Sequence, residues 1–210
     1  KFIIEEKRIL KNYDVLDGLQ DVRILSFKNT LYYTGNVVYS YKDASGNFIR
    51  GSKVEFGTFN INNNSFNGTI MCEKNWALFN TSKKVYCIYK WHPISIGLIK
   101  KDKMLIKLKK DSPSFFKYVC GSTPGVLINN HVVFICHIVC RDKPRNYYHL
   151  FVRLNSNDYS YSDHSYLFTF ENQPIEYCCG MILKNGLLYI TYSVKDSITK
   201  VLTIEPGVIE

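Results

Sequence analysis

The stretch VRILSFKNTLYYTG (residues 22–35) recurs in altered form three more times along this sequence. The other copies are WALFNTSKKVYCIY (residues 76–89), GVLINNHVVFICH (residues 125–137) and GMILKNGLLYITY (residues 180–192). Each copy has an apolar run, a turn built from Lys, Asn, Ser or Gly, and a second, richer apolar run. The copies align on Leu31, Val85, Val132 and Leu187, with spacings of 54, 47 and 55 residues. A period near fifty in an all-β pattern is typical of the blades of a β-propeller.

The repeat predicts an all-β fold, organised as one propeller domain over residues 1–210. No Pro-, Gly- or Ser-rich linker divides the chain. Four blades are visible, at about residues 22–72, 74–109, 122–171 and 179–204. We interpret the apolar and charged run at residues 2–10 as one strand of an incomplete preceding blade. Part of the N-terminal blade is therefore expected to be missing.

The composition fits a globular β protein without a membrane span. Hydrophobic residues make up 46% of the 210 residues and charged residues 21%, while the aromatic share of 15% favours strands. No apolar run approaches the roughly 20 residues that a transmembrane helix needs. No membrane partner is predicted, and the sequence does not define an oligomeric state.

The seven cysteines follow neither metal-finger nor redox spacing. Cys136 and Cys140 form a tempting group with His137, but four residues of an extended strand span roughly 13 Å, too far for one ion. We therefore predict no metal site and no other cofactor. Reduced, buried thiols are the preferred interpretation, and they favour a reducing compartment such as the cytoplasm.

The net charge is +9, and lysines are densest between Lys100 and Lys110. Met104, Ile106 and Leu108 alternate with lysines there, which predicts a strand with one solvated face. One interpretation is an edge strand that lysine keeps soluble; the other is a patch that binds anionic polymers. No nucleic-acid-binding motif accompanies the charge, so nucleic acid is not a predicted partner.

Polar residues stand at equivalent positions around each repeat. Ten residues before the four aligned positions lie Asp21, Asn75, Ser122 and Tyr177. The second strands end in Asn36, in Trp91 with His92, in His137, and in Tyr192 with Asp196. In a propeller, such positions converge on one mouth of the central channel. Carboxylate and amide groups pair with sugar hydroxyls and aromatic rings stack on apolar sugar faces, so this ring predicts a polyhydroxylated ligand.

Each candidate also has a structural interpretation, which the sequence leaves open. Asp21 can satisfy backbone amides at a turn or pair with Arg23, and Asp196 can be a turn residue. His92 can be a structural residue before a proline, and His137 can be a core histidine.

GLQDVRI (residues 18–24) resembles the GLEDPRI-type motif of five-bladed propeller glycoside-active enzymes, notably the mannoside phosphorylase and mannosidase family. The resemblance continues through EKNWALF (73–79), GSTPGVLI (121–128), VVFICHI (132–138), CCGMIL (178–183) and YITYSVKDS (189–197). It covers nearly all of the chain after residue 17, and the order of the motifs is its most specific feature. The chain looks most similar to uncharacterised relatives that are often found beside glycosyltransferases.

The resemblance implies a sugar site at the propeller mouth, with Asp21 as the general acid and Asp196 as the carboxylate that activates water in related hydrolases. Lys74 and His137 would be the nearest equivalents of the residues that hold phosphate in the phosphorylases. The predicted substrate-binding residues are Arg23, Asn36, Lys74, Asn75, Trp76, Trp91, His92, Ser122, Thr123, His137, Tyr177 and Tyr192. The expected partner is a carbohydrate, either a glycan or a sugar phosphate.

The first motif departs from the family pattern, since Gln20 replaces its Glu and Val22 replaces its Pro. The arginine-rich phosphate cradle is not evident, and Arg23 is the only arginine inside these motifs. We therefore expect a carbohydrate-active enzyme that hydrolyses, phosphorolyses or transfers glycosyl units, with phosphorolysis least supported. Two alternatives remain open: a non-catalytic glycan-binding propeller and a protein-interaction platform.

Overall fold

A computed structural model of the chain describes residues 19–42, 45–60, 65–71, 75–100, 103–142 and 144–209. These residues form β-strands and two short 3-10 helices, and none of them lies in an α-helix. The prediction of an all-β fold is therefore confirmed. Within these ranges, no helix is long and apolar enough to cross a membrane.

The strands form four antiparallel sheets that follow one another along the chain. The first sheet contains β1 (Leu19–Phe27), β2 (Thr30–Lys42), β3 (Phe48–Asn60) and β4 (Ser65–Met71). The second sheet contains β5 (Ala77–Asn80), β6 (Val85–Trp91), β7 (Ile94–Lys100) and β8 (Lys103–Lys110).

A 3-10 helix at Ser114–Tyr118 leads into the third sheet, which contains β9 (Cys120–Gly121), β10 (Val126–Ile128), β11 (His131–Cys140), β12 (Asn146–Asn155) and β13 (Tyr161–His164). The fourth sheet contains β14 (Glu176–Lys184), β15 (Leu187–Val194) and β16 (Ile198–Ile204), and a 3-10 helix at Pro206–Ile209 follows it. Strands pair in chain order, except that β9 pairs with β11. This up-and-down order is that of a propeller blade.

Each copy of the repeated phrase forms one hairpin at the start of a sheet. Two of the hairpin turns have both central residues in the left-handed region: Lys28 and Asn29 (φ 48° and 61°), and Asn185 and Gly186 (φ 51° and 76°). This is the backbone of a type I′ turn, whose twist matches that of the flanking strands. Asn and Gly enter this region at low cost, which explains the KN and NG pairs in the sequence.

The first strands of the sheets are neighbours of one another. β1 contacts both β5 and β14, and β10 contacts β14. The amide of Gly125 donates to the carbonyl oxygen of Leu78 at 2.7 Å, which joins the start of the third sheet to β5. The starts of these strands therefore lie near one another, although they are far apart in sequence.

Three apolar cores fill the spaces between neighbouring sheets. Leu25 and Leu78 belong to the core between the first and second sheets, and Phe79 and Phe134 to the core between the second and third. Ile135 lies in the core between the third and fourth sheets. Neighbouring residues of β11 thus face different cores. A strand buried on both faces needs a continuous apolar run, which VVFIC supplies.

Two further features bear on the sequence predictions. β8 is the outer strand of the second sheet and carries the lysine-rich run, as the edge-strand interpretation predicts. The six described cysteines are free thiols.

The fourth sheet begins at Glu176 rather than at Cys179. The incomplete blade expected at residues 2–10 lies outside the described residues, and a five-bladed propeller stays a prediction.

Candidate functional site

Asp21 lies at an irregularity of β1 that exposes its side chain. Gln20 pairs with Asn36 and Arg23 pairs with Thr34, so the strand carries a β-bulge at residues 21–22. Asp21 has a left-handed backbone (φ 51°), which is uncommon for a non-glycine residue. Its Oδ2 accepts a hydrogen bond of 2.8 Å from Nδ2 of Asn36. The bulge and the Asn36 amide together hold an exposed carboxylate at the start of β1.

Arg23 is a buried charge that joins three sheets at this point. Its side chain is 1% exposed. Nε donates to the carbonyl oxygen of Ser122 at 2.5 Å, and Nη2 donates to that of Gly121 at 3.3 Å. Nη2 also donates to the hydroxyl of Tyr177 on β14. Among the described residues no carboxylate forms a salt bridge with this guanidinium. These hydrogen bonds offset the cost of burying the guanidinium. Because no carboxylate neutralises it, its positive charge influences the pKa values of neighbouring groups.

His137, Tyr147 and Tyr177 form an aromatic cluster beside Arg23. The ring centroids of His137 lie 5.5 Å from Tyr147 and 5.4 Å from Tyr177, and those of the two tyrosines lie 5.9 Å apart. Nδ1 of His137 is 2.7 Å from Oγ of Ser122. The cluster therefore connects the ends of β11, β12 and β14 to the loop that holds Arg23.

Tyr147 is a site residue that sequence reasoning missed. It lies on β12, the strand after the repeated phrase, so alignment of the repeats does not reach it. It pairs with Val139, two residues beyond His137 on β11, and paired residues share a face of the sheet. The β11–β12 register is thus the signal that would have found it. The guanidinium of Arg145 lies 5.1 Å from the centroid of its ring, in a cation–π contact.

Burial and charge shift the pKa values in this cluster. Burial lowers the pKa of His137 to about 3, with further lowering by His149 and Arg23, so the ring is neutral at pH 7. Partial burial raises the pKa of Tyr147; Arg145 opposes this shift, and the charges of Asp196 and Asp21 add to it. The Tyr147 hydroxyl therefore keeps its proton at pH 7.

Asp196 reaches this region from the turn between β15 and β16. Lys195 and Asp196 are both left-handed (φ 54° and 51°), and the Lys195 amide donates to the carbonyl oxygen of Ile175 at 2.9 Å. The amide of Ile175 in turn donates to the carbonyl oxygen of Arg145 at 3.3 Å. Ile175 itself has a φ of 54°, an outlier for a β-branched residue. Backbone strain of this kind persists only where the surrounding structure holds it.

A cleft of about 280 Å³ opens next to this region at the start of the second sheet. Its lining includes Asn75, Lys90, Trp91, His92, Lys117 and Cys120. Asn75 is left-handed (φ 64°), and its carbonyl oxygen packs against Gly121, where an added Cβ would lie only 2.8 Å away. His92 is exposed, and its Nδ1 lies 3.0 Å from Oγ of Ser112. Asn75 and Ser122, predicted from equivalent repeat positions, are therefore neighbours through Gly121.

Four predicted binding residues make structural contacts, and one of them, Trp91, also borders the cleft. Trp76 is 1% exposed and Trp91 is 5% exposed, and both rings lie in apolar cores. Oγ1 of Thr123 accepts a hydrogen bond of 3.0 Å from the amide of Ile135. Tyr192 belongs to the core between the third and fourth sheets, where its hydroxyl donates to Oε1 of Glu171 at 2.7 Å. For Trp76, Thr123 and Tyr192 these contacts indicate structural roles, while sugar binding by Trp91 stays a prediction. The remaining candidate, Lys74, lies outside the described residues.

Comparisons with known proteins bear on the fold. No protein-family model matches the sequence, and no curated protein matches it significantly. The β-1,2-mannobiose phosphorylase of Listeria innocua is similar in structure, with a TM-score of 0.60 at 14% identity over 91% of this chain. This chain spans only 59% of the length of that phosphorylase.

Two proteins of Leishmania mexicana are similar as well. A mannose phosphorylase solved with a phosphate ion has a TM-score of 0.60 at 14% identity, with 90% of this chain and 68% of that chain covered. A GDP-Man-dependent mannosyltransferase has a TM-score of 0.62 at 13% identity, with the same coverage of 90% and 68%. At these identities the likeness shows the fold. The structural neighbours thereby confirm that the chain resembles the propeller family of glycoside-active enzymes.

Proposed function

We propose that this protein is a carbohydrate-active enzyme that cleaves or transfers a glycosyl unit beside Arg23, with Asp21 as general acid/base and Asp196 as the second carboxylate. One observation carries the proposal: both carboxylates are tied to the Tyr147–Tyr177 pair. Backbone hydrogen bonds from Lys195 to Ile175 and from Ile175 to Arg145 join the turn of Asp196 to the strand of Tyr147. Arg23, two residues after Asp21, donates to the hydroxyl of Tyr177, whose ring contacts Tyr147. A pair of carboxylates around one bond is the usual apparatus of glycoside hydrolysis. Fold-level likeness to mannoside-active enzymes supports the same substrate class by analogy.

The surroundings of Asp21 suit a sugar ring. Tyr147 is only partly buried, so its ring can stack on a pyranose while its hydroxyl forms a hydrogen bond. Oδ1 of Asn36 is buried and has no hydrogen-bond partner among the described residues. A sugar hydroxyl would supply that partner, since buried acceptors are normally satisfied. A glycan is therefore the ligand class that this region fits best.

In the proposed reaction, Asp21 in its acid form protonates the glycosidic oxygen as its bond to the anomeric carbon breaks. Asp196 accepts a proton from the water or acceptor hydroxyl that attacks this carbon from the opposite face. Phosphate as the attacking group would need cations. His137 is neutral because its pKa is lowered to about 3, and the donors of Arg23 are directed at carbonyl oxygens and a hydroxyl. Neither His137 nor Arg23 therefore offers a free charged donor to phosphate, which supports hydrolysis or transfer over phosphorolysis.

The test is a turnover assay with a panel of mannosides, including β-1,2-mannobiose, with and without added phosphate. For any glycan that is turned over, Asp21→Asn should lower kcat by about 10²–10⁴-fold, the usual contribution of a positioned acid or base. The matched control is Asp158→Asn, in the exposed turn at the far end of β12. Full turnover by Asp21→Asn would show that this mechanism is wrong.

A non-catalytic glycan-binding propeller is the second candidate. It is favoured by the departures in the first motif, where Gln20 and Val22 stand in place of Glu and Pro. A glycan at 100 times its dissociation constant should raise the free energy of unfolding by about 2.7 kcal/mol, which a thermal-shift screen detects. Binding without turnover of any panel member, together with unchanged affinity in Asp21→Asn, would select this candidate.

A further inference from the structure

A second cleft lies between the first and second sheets, at the other end of β1 from Asp21. Its volume is about 310 Å³. Phe27, which lines it, ends β1 and lies roughly 20 Å along the extended strand from Asp21. This cleft is therefore separate from the candidate glycan site, and nothing argued for that site depends on it.

Three aromatic side chains of the first sheet line this cleft: Phe27, Tyr32 and Phe56. Tyr86 borders it as well, but its ring stacks on Phe79 in the core between the second and third sheets. The rings of Tyr32 and Phe56 are stacked, with centroids 6.3 Å apart and an interplanar angle of 22°. Leu78, Val85 and Leu98 complete the lining, and Leu78 at the base is fully buried. The space continues the apolar core between these two sheets and opens to solvent beside the β5–β6 turn.

The residues that line the cleft determine which type of ligand it can bind. Among the described lining residues there is no Asp, Glu, Asn, Gln, Ser or Thr side chain. The hydroxyls of a sugar, or the polar edge of a nucleobase, would lose hydrogen bonds with water and find few replacements here. An apolar body is favoured instead. Three aromatic side chains favour an aromatic ring over an acyl chain, since stacked and edge-to-face ring contacts add to the effect of buried area.

Two lysines at the mouth supply charge. Lys83 and Lys84 lie in the turn between β5 and β6, and both are exposed. Oγ1 of Thr81 accepts hydrogen bonds of 3.2 Å from both of their amides, and the Thr81 amide donates to the Lys84 carbonyl oxygen at 2.9 Å. In the part of the chain that the structure describes, no carboxylate pairs with either ammonium group. A fixed turn therefore presents two unneutralised cations beside an apolar cleft.

We propose that this cleft binds a small aromatic carboxylate, with its ring among Phe27, Tyr32 and Phe56 and its carboxylate between Lys83 and Lys84. The volume of about 310 Å³ is at the lower end of the roughly 300–1,000 Å³ typical of ligand pockets, which suits one or two fused rings. The charge of the lysines is complementary to the anionic end of the ligand, and the apolar lining to its ring. The ligand would bind independently of any glycan.

The experiment titrates 1-naphthoate into the full chain by calorimetry. A neutral analogue of the same shape, 1-naphthylmethanol, and a non-aromatic anion, octanoate, are titrated in parallel. Naphthoate should bind about tenfold more tightly than the alcohol, since loss of two charge contacts corresponds to roughly that factor. It should also bind more tightly than octanoate, which keeps the carboxylate but lacks the aromatic ring. Its affinity should also fall as salt is added, because the lysines are exposed.

A pair of variants with equal change in net charge completes the test. Lys83→Ala combined with Lys84→Ala should weaken naphthoate binding about tenfold. Lys107→Ala combined with Lys109→Ala, on the exposed edge strand β8, should leave it unchanged. Absence of naphthoate binding, equal binding of the alcohol or of octanoate, or an equal response of the two double variants would each overturn the proposal.

Discussion

Nε of Arg23 donates to the carbonyl oxygen of Ser122 across 2.5 Å, and this hydrogen bond ties the first sheet to the third. The same guanidinium reaches the hydroxyl of Tyr177 on the fourth sheet. One buried side chain therefore holds the starts of three sheets together, at the place where Asp21 projects. Its positive charge also opposes the rise that burial causes in the pKa of Cys136 and Cys178.

Replacement of this side chain should be costly to stability. Arg23→Met removes the donors for the carbonyl oxygens of Ser122 and Gly121 and for the Tyr177 hydroxyl, and each buried group left without a partner costs about 1–3 kcal/mol. We expect the free energy of unfolding, measured with urea, to fall by about 3 kcal/mol or more. Arg145→Met, at an exposed position, should change it by no more than about 0.5 kcal/mol. Equal losses in the two variants would contradict the role of Arg23.

The hydroxyl of Tyr147 should matter for turnover more than for folding. If Tyr147 contacts the glycan as proposed, Tyr147→Phe should lower kcat/KM about tenfold, the equivalent of one lost hydrogen bond of about 1.4 kcal/mol. The neighbouring Tyr148→Phe is the matched control, because successive residues of a strand point to opposite faces and Tyr148 is 38% exposed. Thermal stability should stay nearly constant in both. A larger kinetic effect at Tyr148 would move the site to the other face of β12.

The stability of the fold should fall in mild acid. Burial lowers the pKa of His149 to about 4 and that of His137 to about 3, from an ordinary value of 6.5. Below pH 6.5 these histidines bind protons in the unfolded chain but not in the folded chain. Their contribution to the free energy of unfolding is therefore complete above pH 6.5 and is lost as the pH falls toward 4. For His149 the loss by pH 4 is on the order of 3 kcal/mol.

His149→Phe tests this prediction. Neither ring nitrogen of His149 makes a hydrogen bond of normal geometry with a described residue, and its ring packs against Phe168 and Phe170 at 5.8 and 4.8 Å. Phenylalanine should therefore fit this position and remove the protonation. Urea midpoints from pH 7 down to pH 4.5 should decline less steeply in the variant than in the parent. Parallel slopes would show that His149 does not titrate as described.

Gly121 should not tolerate a methyl group. A Cβ there would lie 2.8 Å from the carbonyl oxygen of Asn75, 3.1 Å from Cβ of Ala77 and 3.3 Å from Nε1 of Trp91. Gly121→Ala should lower the free energy of unfolding by about 1–3 kcal/mol, the usual cost of overpacking. Gly207→Ala is the control, since an added Cβ at Gly207 meets nothing within 4 Å. A stable Gly121→Ala would mean that the two loops are not packed as closely as described.

Several parts of the fold could be predicted from local sequence because local physics produces them. The apolar runs form the first hairpin of each sheet, and the pairs Lys28-Asn29 and Asn185-Gly186 form the turns, since backbone preferences decide both within a few residues. Asn75 and Ser122 are neighbours through Gly121, and Arg23 joins Ser122 to Tyr177, as their equivalent positions in the repeat suggest. The tryptophans were less predictable. Trp76 and Trp91 stand next to polar candidates in sequence, yet packing between sheets buries them.

By itself the sequence determined the all-β class, the four hairpins, and the polar positions at the strand starts, because strand periodicity and turn chemistry act over short stretches. Only the tertiary structure decided what those positions do. The bulge that exposes Asp21 depends on the register of β1 against β2, and the burial of Arg23 depends on loops about a hundred residues away. Tyr147 lies at the candidate site through strand pairing, and the aromatic cleft is formed by side chains of two different sheets. Long-range packing sets these features, and no local pattern encodes it.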